Sequence, residues 1–199
     1  MIRDEIRDSI ITEGRKEFLN CGFEKASLKN ICKGANITTG AFYRRFKSKK
    51  ELFEEIVSPT VRAMEEMIKE NPAESGLIEK ILHNSLDYQT LVKFYDNCQN
   101  LRLLLNCSDG TKYIDYPHMI SQELTKVTKN YIINLKEKNF IPDKELHMFM
   151  SAYVSALFEA VVHSYTEDEI KNFLDSVNNF FNWEGILSLN KTEEKWNLY

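Results

Sequence analysis

Residues 27–50 read SLKNICKGANITTGAFYRRFKSKK, and this stretch decides which fold the sequence predicts. Ser27 precedes a short helical pattern, and its hydroxyl can accept hydrogen bonds from the free N–H groups of a first turn. The apolar residues of that pattern recur at helical spacing: Leu28, Ile31, Cys32 and Ala35. Asn36 then ends the helix, and Thr38 can cap a second one. The sequence therefore predicts two short helices joined by a tight turn.

The second helix carries small residues first, and aromatic and cationic residues after them. Thr39, Gly40 and Ala41 would let the backbone approach another surface closely. The side chains that follow can donate hydrogen bonds to phosphate oxygens: Tyr43, Arg44, Arg45, Lys47 and Lys49. A recognition helix needs this order, because phosphate contacts position it while its first residues meet base edges in the major groove. A helical hairpin with an incidentally basic face is the alternative that spacing alone leaves open.

The longer run ASLKNICKGANITTGAFYRRFKSKKELF, residues 26–53, resembles the N-terminal signature of TetR-family transcriptional regulators. That signature combines a TS-like cap, an IA-x-x-AGVS-like turn and a G-x-x-Y-x-x-F-x-(S/N)-K-x-x-L run. The resemblance extends upstream through Ile10, Ile11, Phe18, Gly22 and Phe23. Asn36 stands where the family usually has glycine, a tolerable departure because asparagine enters the left-handed region more readily than most residues.

By position, the resemblance implies which residues contact double-stranded operator DNA. Thr38, Thr39 and Gly40 are expected to approach bases or the backbone beside them. Tyr43, Lys47 and Lys49 are expected to contact phosphate. Four further residues complete the predicted DNA-binding set: Ser27, Lys29, Arg44 and Arg45.

The charge of the 199-residue chain is unevenly distributed, although its composition is that of an ordinary soluble globular protein. Residues 1–50 hold 12 Lys and Arg against 6 Asp and Glu, whereas the remainder holds 14 against 24. The basic segment 1–50, the head, favours binding of a polyanion. The acidic remainder of the chain, the body, disfavours a second DNA-binding surface there. The N-terminus lacks an apolar signal core, and no stretch is expected to cross a membrane, so a cytoplasmic protein is predicted.

The cysteines and histidines show no spacing typical of a metal or catalytic site. No C-x-x-C pair occurs among Cys21, Cys32, Cys98 and Cys107, which favours buried thiols over redox sensing. Neither H-E-x-x-H nor E-x-x-H joins the four histidines His83, His118, His147 and His163. No nucleophile elbow, P-loop or dinucleotide motif is present either. The sequence therefore predicts no catalytic residue, no metal and no cofactor, and a helical enzyme is the weakest of the rival classes.

The resemblance and the apolar periodicity together predict an all-α fold of about nine helices. Residues 1–50 should form a three-helix helix-turn-helix DNA-binding domain, linked through helix 4 at about 48–70. Residues 51–199 should form the effector-binding and dimerisation domain. Helix 1 is expected to run from about Ile2 to Cys21. The expected body helices are 74–97, 98–106, 112–138, 143–165 and 167–189.

The last two helices carry more apolar surface than one 199-residue chain can cover, which predicts a homodimer. A merely large core is the alternative. The predicted interface consists of Leu157, Val161, Phe173, Val177, Phe180 and Phe181.

An effector pocket for a small molecule is predicted within the body, although ordinary core packing is an equally good account of any single residue. Its predicted lining is Met64, Met67, Tyr88, Tyr95, Tyr116, His118, Phe149 and Tyr153. Few cations lie among these residues, which favours a neutral or cationic, largely hydrophobic effector of otherwise unknown identity. The resemblance implies a repressor released from its operator by that effector. The alternative is a DNA-binding regulator or adaptor without a small-molecule ligand.

Overall fold

A computed structural model describes residues 5–69, 76–95, 98–134 and 141–188, and all regular structure in those ranges is helical. The prediction of an all-α fold is therefore confirmed. In chain order the helices are α1 (Glu5–Lys25), α2 (Leu28–Gly34), α3 (Thr39–Tyr43), α4 (Lys49–Lys69), α5 (Leu77–Leu82), α6 (Tyr88–Tyr95), α7 (Cys98–Asn106), α8 (Tyr116–Asn134), α9 (Asp143–Val162), α10 (Glu167–Phe180) and α11 (Trp183–Ser188).

Two of the expected helices are each interrupted, so more segments appear than the nine predicted. The helix expected at 74–97 breaks after α5, where Asn84 has a φ of 53°. Asp87 then starts α6 by accepting a hydrogen bond from the Thr90 N–H at 2.8 Å. The helix expected at 167–189 ends at Phe180, because Phe181 and Trp183 are both buried in the core.

The boundaries of two other helices also differ from the prediction. The helix expected from residue 112 begins only at Tyr116, because Pro117 occupies its first turn, where a missing N–H costs no hydrogen bond. Helix α1 ends at Lys25 rather than Cys21, but Gly22 interrupts it with φ 76° and ψ 163°. Only glycine adopts that conformation without strain, so Gly22 does end the regular part of the helix as predicted.

The chain divides into two compact units: Met1–Ala63 with Asp96–Tyr116, and Met64–Tyr95 with Pro117–Tyr199. The first unit therefore contains α7 as well as the predicted head, although α7 lies far along the sequence. The predicted functional boundary between residues 50 and 51 concerns binding roles and stays a prediction.

The core of the first unit is an aromatic cluster between α1 and the start of α4. Phe18 and Phe53 meet edge to face with centroids 5.2 Å apart, and Phe23 packs on Phe53 at 5.3 Å. Gly14 lets the two helices approach closely, since a Cβ there would lie 2.7 Å from Leu52 Cδ2. The helices that present the predicted DNA-binding residues thus rest on a closely packed base.

The core of the second unit is centred on Tyr153, Phe181 and Trp183. Tyr153 contacts both of the other rings edge to face, at 5.1 and 5.5 Å between centroids, and Trp183 is completely buried. Asn178 also ties α10 to the start of α6 by donating to the Leu86 carbonyl at 2.8 Å. Burial of Trp183 explains why α11 is a separate segment.

Helix α9 has the length and mean hydropathy, 1.2, that a membrane span requires, contrary to the expectation that no stretch does. Of that apolar window 33% is buried inside the protein. Core helices of soluble proteins pass the same test of length and composition. The contacts of Tyr153 assign α9 to the core of the second unit.

Candidate nucleic-acid interface

Local capping builds the α2–turn–α3 segment as the sequence predicts. The Ser27 hydroxyl accepts from the Asn30 N–H at 3.5 Å, and the Thr38 hydroxyl accepts from the Ala41 N–H at 3.2 Å. Between the helices, Asn36 adopts a φ of 53° and so takes the left-handed conformation expected of it. The segment is therefore a helix, a tight turn and a second helix.

Glu17 of α1 fixes the start of α2, a role that the sequence analysis did not identify. Its Oε1 accepts from the Ser27 N–H at 2.9 Å and from Asn30 Nδ2 at 3.1 Å. A carboxylate beside a helix N-terminus also interacts favourably with the helix dipole. Glu17 thereby sets the position of α2 relative to α1.

Most of the predicted DNA-binding side chains lie on the exposed surface of the first unit. Phe42 and Phe46 are buried and anchor the segment, and Tyr43 between them is 57% exposed. The remaining exposed members are Lys29, Thr38, Thr39, Gly40, Arg44 and Lys47. The surface thus presents small residues at the start of α3 and cations around its end.

Lys49 differs from the other predicted phosphate contacts, because its ammonium group is already engaged within the protein. Its Nζ donates to the Glu24 and Ala26 carbonyls, each at 3.0 Å, and lies 4.7 Å from the centre of the Phe23 ring. These bonds satisfy carbonyl groups at the end of α1. Arg45 is also partly engaged, since its Nη1 donates to the Ala41 carbonyl at 3.4 Å.

We expect Lys49→Ala to lower the free energy of unfolding by about 1–2 kcal/mol, because two backbone carbonyls lose a charged donor. Lys47→Ala should leave stability unchanged and reduce the salt dependence of DNA binding by roughly one phosphate contact. Thermal melts and salt titrations of both variants check this. A Lys49→Ala protein with unchanged melting temperature and a reduced salt slope would show that Lys49 serves DNA instead.

Helix α7 and the loop after it support α1 from the side. Arg15 Nε donates to Asn100 Oδ1 at 3.0 Å, and the Phe23 N–H donates to the Cys107 carbonyl at 2.9 Å. The loop is held by Ser108, whose hydroxyl lies 2.9 and 3.0 Å from the Leu104 and Tyr113 carbonyls. This packing joins residues that are distant in sequence, so periodicity alone does not reveal it.

Burial raises the pKa of the Cys21, Cys32 and Cys107 thiols, which suppresses the reactive thiolate. The nearby Glu17 carboxylate raises the pKa of Cys21 further. Of the four cysteines, Cys32 is buried as predicted, whereas Cys21, Cys98 and Cys107 are half-buried.

The residues predicted to line an effector pocket are distributed over both compact units. Tyr116 is buried and belongs to the first unit. In the second unit, Met64 and Tyr153 are buried, whereas His118 is exposed. Half-buried side chains are found at Met67, Tyr88 and Phe149. The Tyr95 side chain lies outside the described residues.

A cavity of about 260 Å³ lies in the second unit, and Tyr88 is the member of the predicted set that lines it. The lining comprises Leu86, Asp87, Tyr88, Gln89, Lys171, Leu174 and Asp175. Lys171 Nζ sits 5.4 Å from the centre of the Tyr88 ring. Burial alone would raise the pKa of Asp87, but hydrogen bonds from Thr90 and Lys80 hold it below its ordinary value. An anionic carboxylate therefore lies beside an aromatic ring.

The residues predicted for a dimer interface differ greatly in exposure. Phe180 is 82% exposed at the end of α10. Val161, Val177 and Phe181 are buried in the core of their own chain, while Leu157 and Phe173 are half-buried. Of the six predicted residues, Phe180 therefore has the most apolar surface left for a partner.

Residues 10–56 match the family model of bacterial regulatory proteins of the tetR family. No curated protein sequence matches the chain significantly.

Solved structures share the fold over most of both chains. A TerR/AcrR-family transcriptional regulator from Aquifex aeolicus VF5 has a TM-score of 0.59 and 20% identity, over 88% of this chain and 96% of that chain. NalD of Pseudomonas aeruginosa, the secondary repressor of the MexAB-OprM multidrug efflux pump, has a TM-score of 0.57 and 17% identity over 88% and 96%. MexZ, a repressor responsible for antibiotic resistance in the same organism, has a TM-score of 0.58 and 15% identity over 95% and 98%. The matched family and these structures are of transcriptional regulators, not enzymes.

Proposed function

We propose that the chain is a cytoplasmic, sequence-specific repressor, which the match of residues 10–56 to the family model of bacterial regulatory proteins of the tetR family supports. In this proposal the repressor binds double-stranded operator DNA as a homodimer, and a small effector releases it. The observation that carries the proposal is the exposed start of α3, held in place by buried Phe42 and Phe46. DNA binding belongs to the head at residues 1–50, and effector binding and dimerisation belong to residues 51–199.

On DNA, α3 serves as the recognition helix. Thr38, Thr39 and Gly40 approach bases or their adjoining backbone, since all three are exposed at the start of the helix. Tyr43 and Lys47 contact phosphate, and Lys29 and Arg44 extend the cationic surface. Lys49, Arg45 and Ser27 contribute chiefly by holding α1, α2 and α3 in position, as their hydrogen bonds support.

The effector is a neutral or cationic, largely hydrophobic compound. The cavity supports this class, because it combines the Tyr88 ring with the carboxylates of Asp87 and Asp175, and a bound cation would replace the Lys171 ammonium over that ring. To release the operator, the compound must bind more tightly to the conformation that fits DNA poorly. A regulator without any small-molecule ligand remains the second candidate, because the cavity is small for a drug-sized molecule.

Selection from random duplex DNA tests the proposed DNA binding directly. The purified full chain should retain fragments that share an inverted repeat, with half-site centres about one helical turn apart or a multiple of it. A Tyr43→Ala/Lys47→Ala double variant is the control and should retain far less DNA. Retention of fragments without any shared sequence would contradict the proposal.

We expect a hydrophobic cation that binds the cavity to raise the melting temperature and to weaken operator affinity by roughly 5–150-fold. Tyr88→Ala should weaken binding of that compound by about tenfold, because the aromatic face is removed. Tyr165→Ala, an exposed tyrosine outside the cavity lining, is the matched control. Calorimetry and operator binding measure the two effects. Full binding by the Tyr88→Ala variant would place the effector elsewhere.

A further inference from the structure

Two histidines that are far apart in sequence meet on neighbouring helices of the second unit. His118 lies near the start of α8 and His147 near the start of α9, and their ring centroids are 5.1 Å apart with planes at 84°. His118 is exposed and His147 half-buried, so a solvent ion has access to the pair. Neither ring has a role in the proposed DNA binding.

Hydrogen bonds fix which nitrogen of His147 keeps its lone pair. Thr125 Oγ1 donates its proton to the Ser121 carbonyl at 2.7 Å, so it can only accept from His147 Nδ1 at 3.3 Å. The proton therefore sits on Nδ1, and Nε2 remains available as a ligand. Metal-binding histidines usually have such a partner on their second nitrogen.

Gln122 lies beside His118 and fixes the site of its lone pair. The Gln122 amide nitrogen Nε2 lies 2.8 Å from His118 Nε2. An amide nitrogen can only donate, so the lone pair of His118 is on Nε2. A metal ion at His118 therefore takes the place of the Gln122 N–H on Nε2.

The separation of the two rings suits a shared metal ion. A metal lies about 2.0–2.1 Å from each imidazole nitrogen, and with a roughly tetrahedral angle this places the two ring centres roughly 5 Å apart. The observed 5.1 Å agrees with that distance. We propose that His118 and His147 form a binding site for a divalent transition metal ion.

The ligand set determines which ions the site selects. Imidazole nitrogens favour Cu²⁺, Ni²⁺ and Zn²⁺ over Mg²⁺ and Ca²⁺, and Cu²⁺ binds most tightly in the divalent series. Among the described residues no group of three His, Cys, Asp or Glu side chains comes together, so solvent completes the coordination. The site is accordingly weaker than a four-ligand structural zinc site.

Metal binding would add a further link between α8 and α9. The two helices are already linked by the ion pair of Lys129 with Asp143. An ion held by His118 and His147 stabilises the folded chain, because the unfolded chain does not hold the two imidazoles together. The site is independent of the proposed effector cavity, whose lining contains neither histidine.

Titration of the untagged full-length chain with CuCl₂ tests the site. Calorimetry should give one tight ion per chain, and electron paramagnetic resonance should show coupling to two imidazole nitrogens. His118→Ala and His147→Ala should each weaken that binding by roughly tenfold or more, and Thr125→Val should also weaken it by about tenfold. Excess MgCl₂ should not compete.

A His83→Ala/His163→Ala double variant is the matched control, because it removes the two exposed histidines outside the pair. It should bind Cu²⁺ as the unmodified chain does. Unchanged binding in His118→Ala, or loss of binding in the control, overturns the proposal. His118 is exposed, so its variant remains informative even if His147→Ala fails to fold.

Discussion

Replacing Gly40 with leucine is expected to weaken operator binding strongly while the fold stays intact. Gly40 is exposed in the first turn of α3, and a Cβ there would find only Thr38 Oγ1, at 3.8 Å. The protein therefore accommodates the side chain, and leucine even favours helix by up to about 1 kcal/mol over glycine. In the proposed complex with DNA, the leucine side chain at position 40 would occupy the space that the bases and the sugar–phosphate backbone need.

We expect Gly40→Leu to weaken operator affinity by roughly 100-fold, which corresponds to about 2.7 kcal/mol. Fluorescence anisotropy on the selected operator measures the affinity, and a thermal melt checks the fold. Gly40→Ala should give a smaller loss, and Glu66→Leu, on an exposed position of α4, should give none. Wild-type affinity in Gly40→Leu would mean that the start of α3 does not approach DNA.

Phe180→Asp is expected to convert the proposed homodimer into monomers. The side chain is 82% exposed in the single chain, so aspartate should not disturb the core. In a two-fold interface both copies lose the apolar contact, about 1.5–3 kcal/mol for each buried phenylalanine, and two carboxylates meet without a partner. Operator affinity should fall by at least about 100-fold, because the two DNA-binding heads are no longer linked and each must bind its half-site alone.

Analytical ultracentrifugation at micromolar concentration checks the assembly state of Phe180→Asp. Ile133→Asp, at a residue 56% exposed on α8, is the control and should remain dimeric. A stable Phe180→Asp dimer with native operator affinity would place the interface on another surface.

Local chemistry explains why the helix-turn-helix segment could be predicted from the sequence. Ser27 and Thr38 each accept a hydrogen bond from an N–H group three residues further along, and Asn36 only has to adopt its own positive φ. Residue types and spacing are therefore enough to predict this segment. The all-α class follows similarly from the apolar periodicity.

Tertiary contacts explain the parts that sequence reasoning missed. The ammonium group of Lys49 could bind a phosphate or the carbonyl groups at a helix end equally well. Only the packing of the end of α1 beside Lys49 shows that it binds the carbonyls. The break before Trp183 depends on the core that receives its ring. His118 and His147 meet because of the way α8 and α9 pack against each other, which the spacing of residues in the sequence does not predict.

The discontinuity of the first compact unit has a consequence for synthesis on the ribosome. Residues up to Ala63 are made before the segment 96–116 that completes this unit. At about 5–20 residues per second, the nascent head would wait roughly 3–10 s for α7. Until then Arg15 lacks Asn100, and the Phe23 N–H lacks the Cys107 carbonyl. A nascent chain therefore completes its first compact unit, which contains the proposed DNA-binding surface, only after more than half of the polypeptide has been translated.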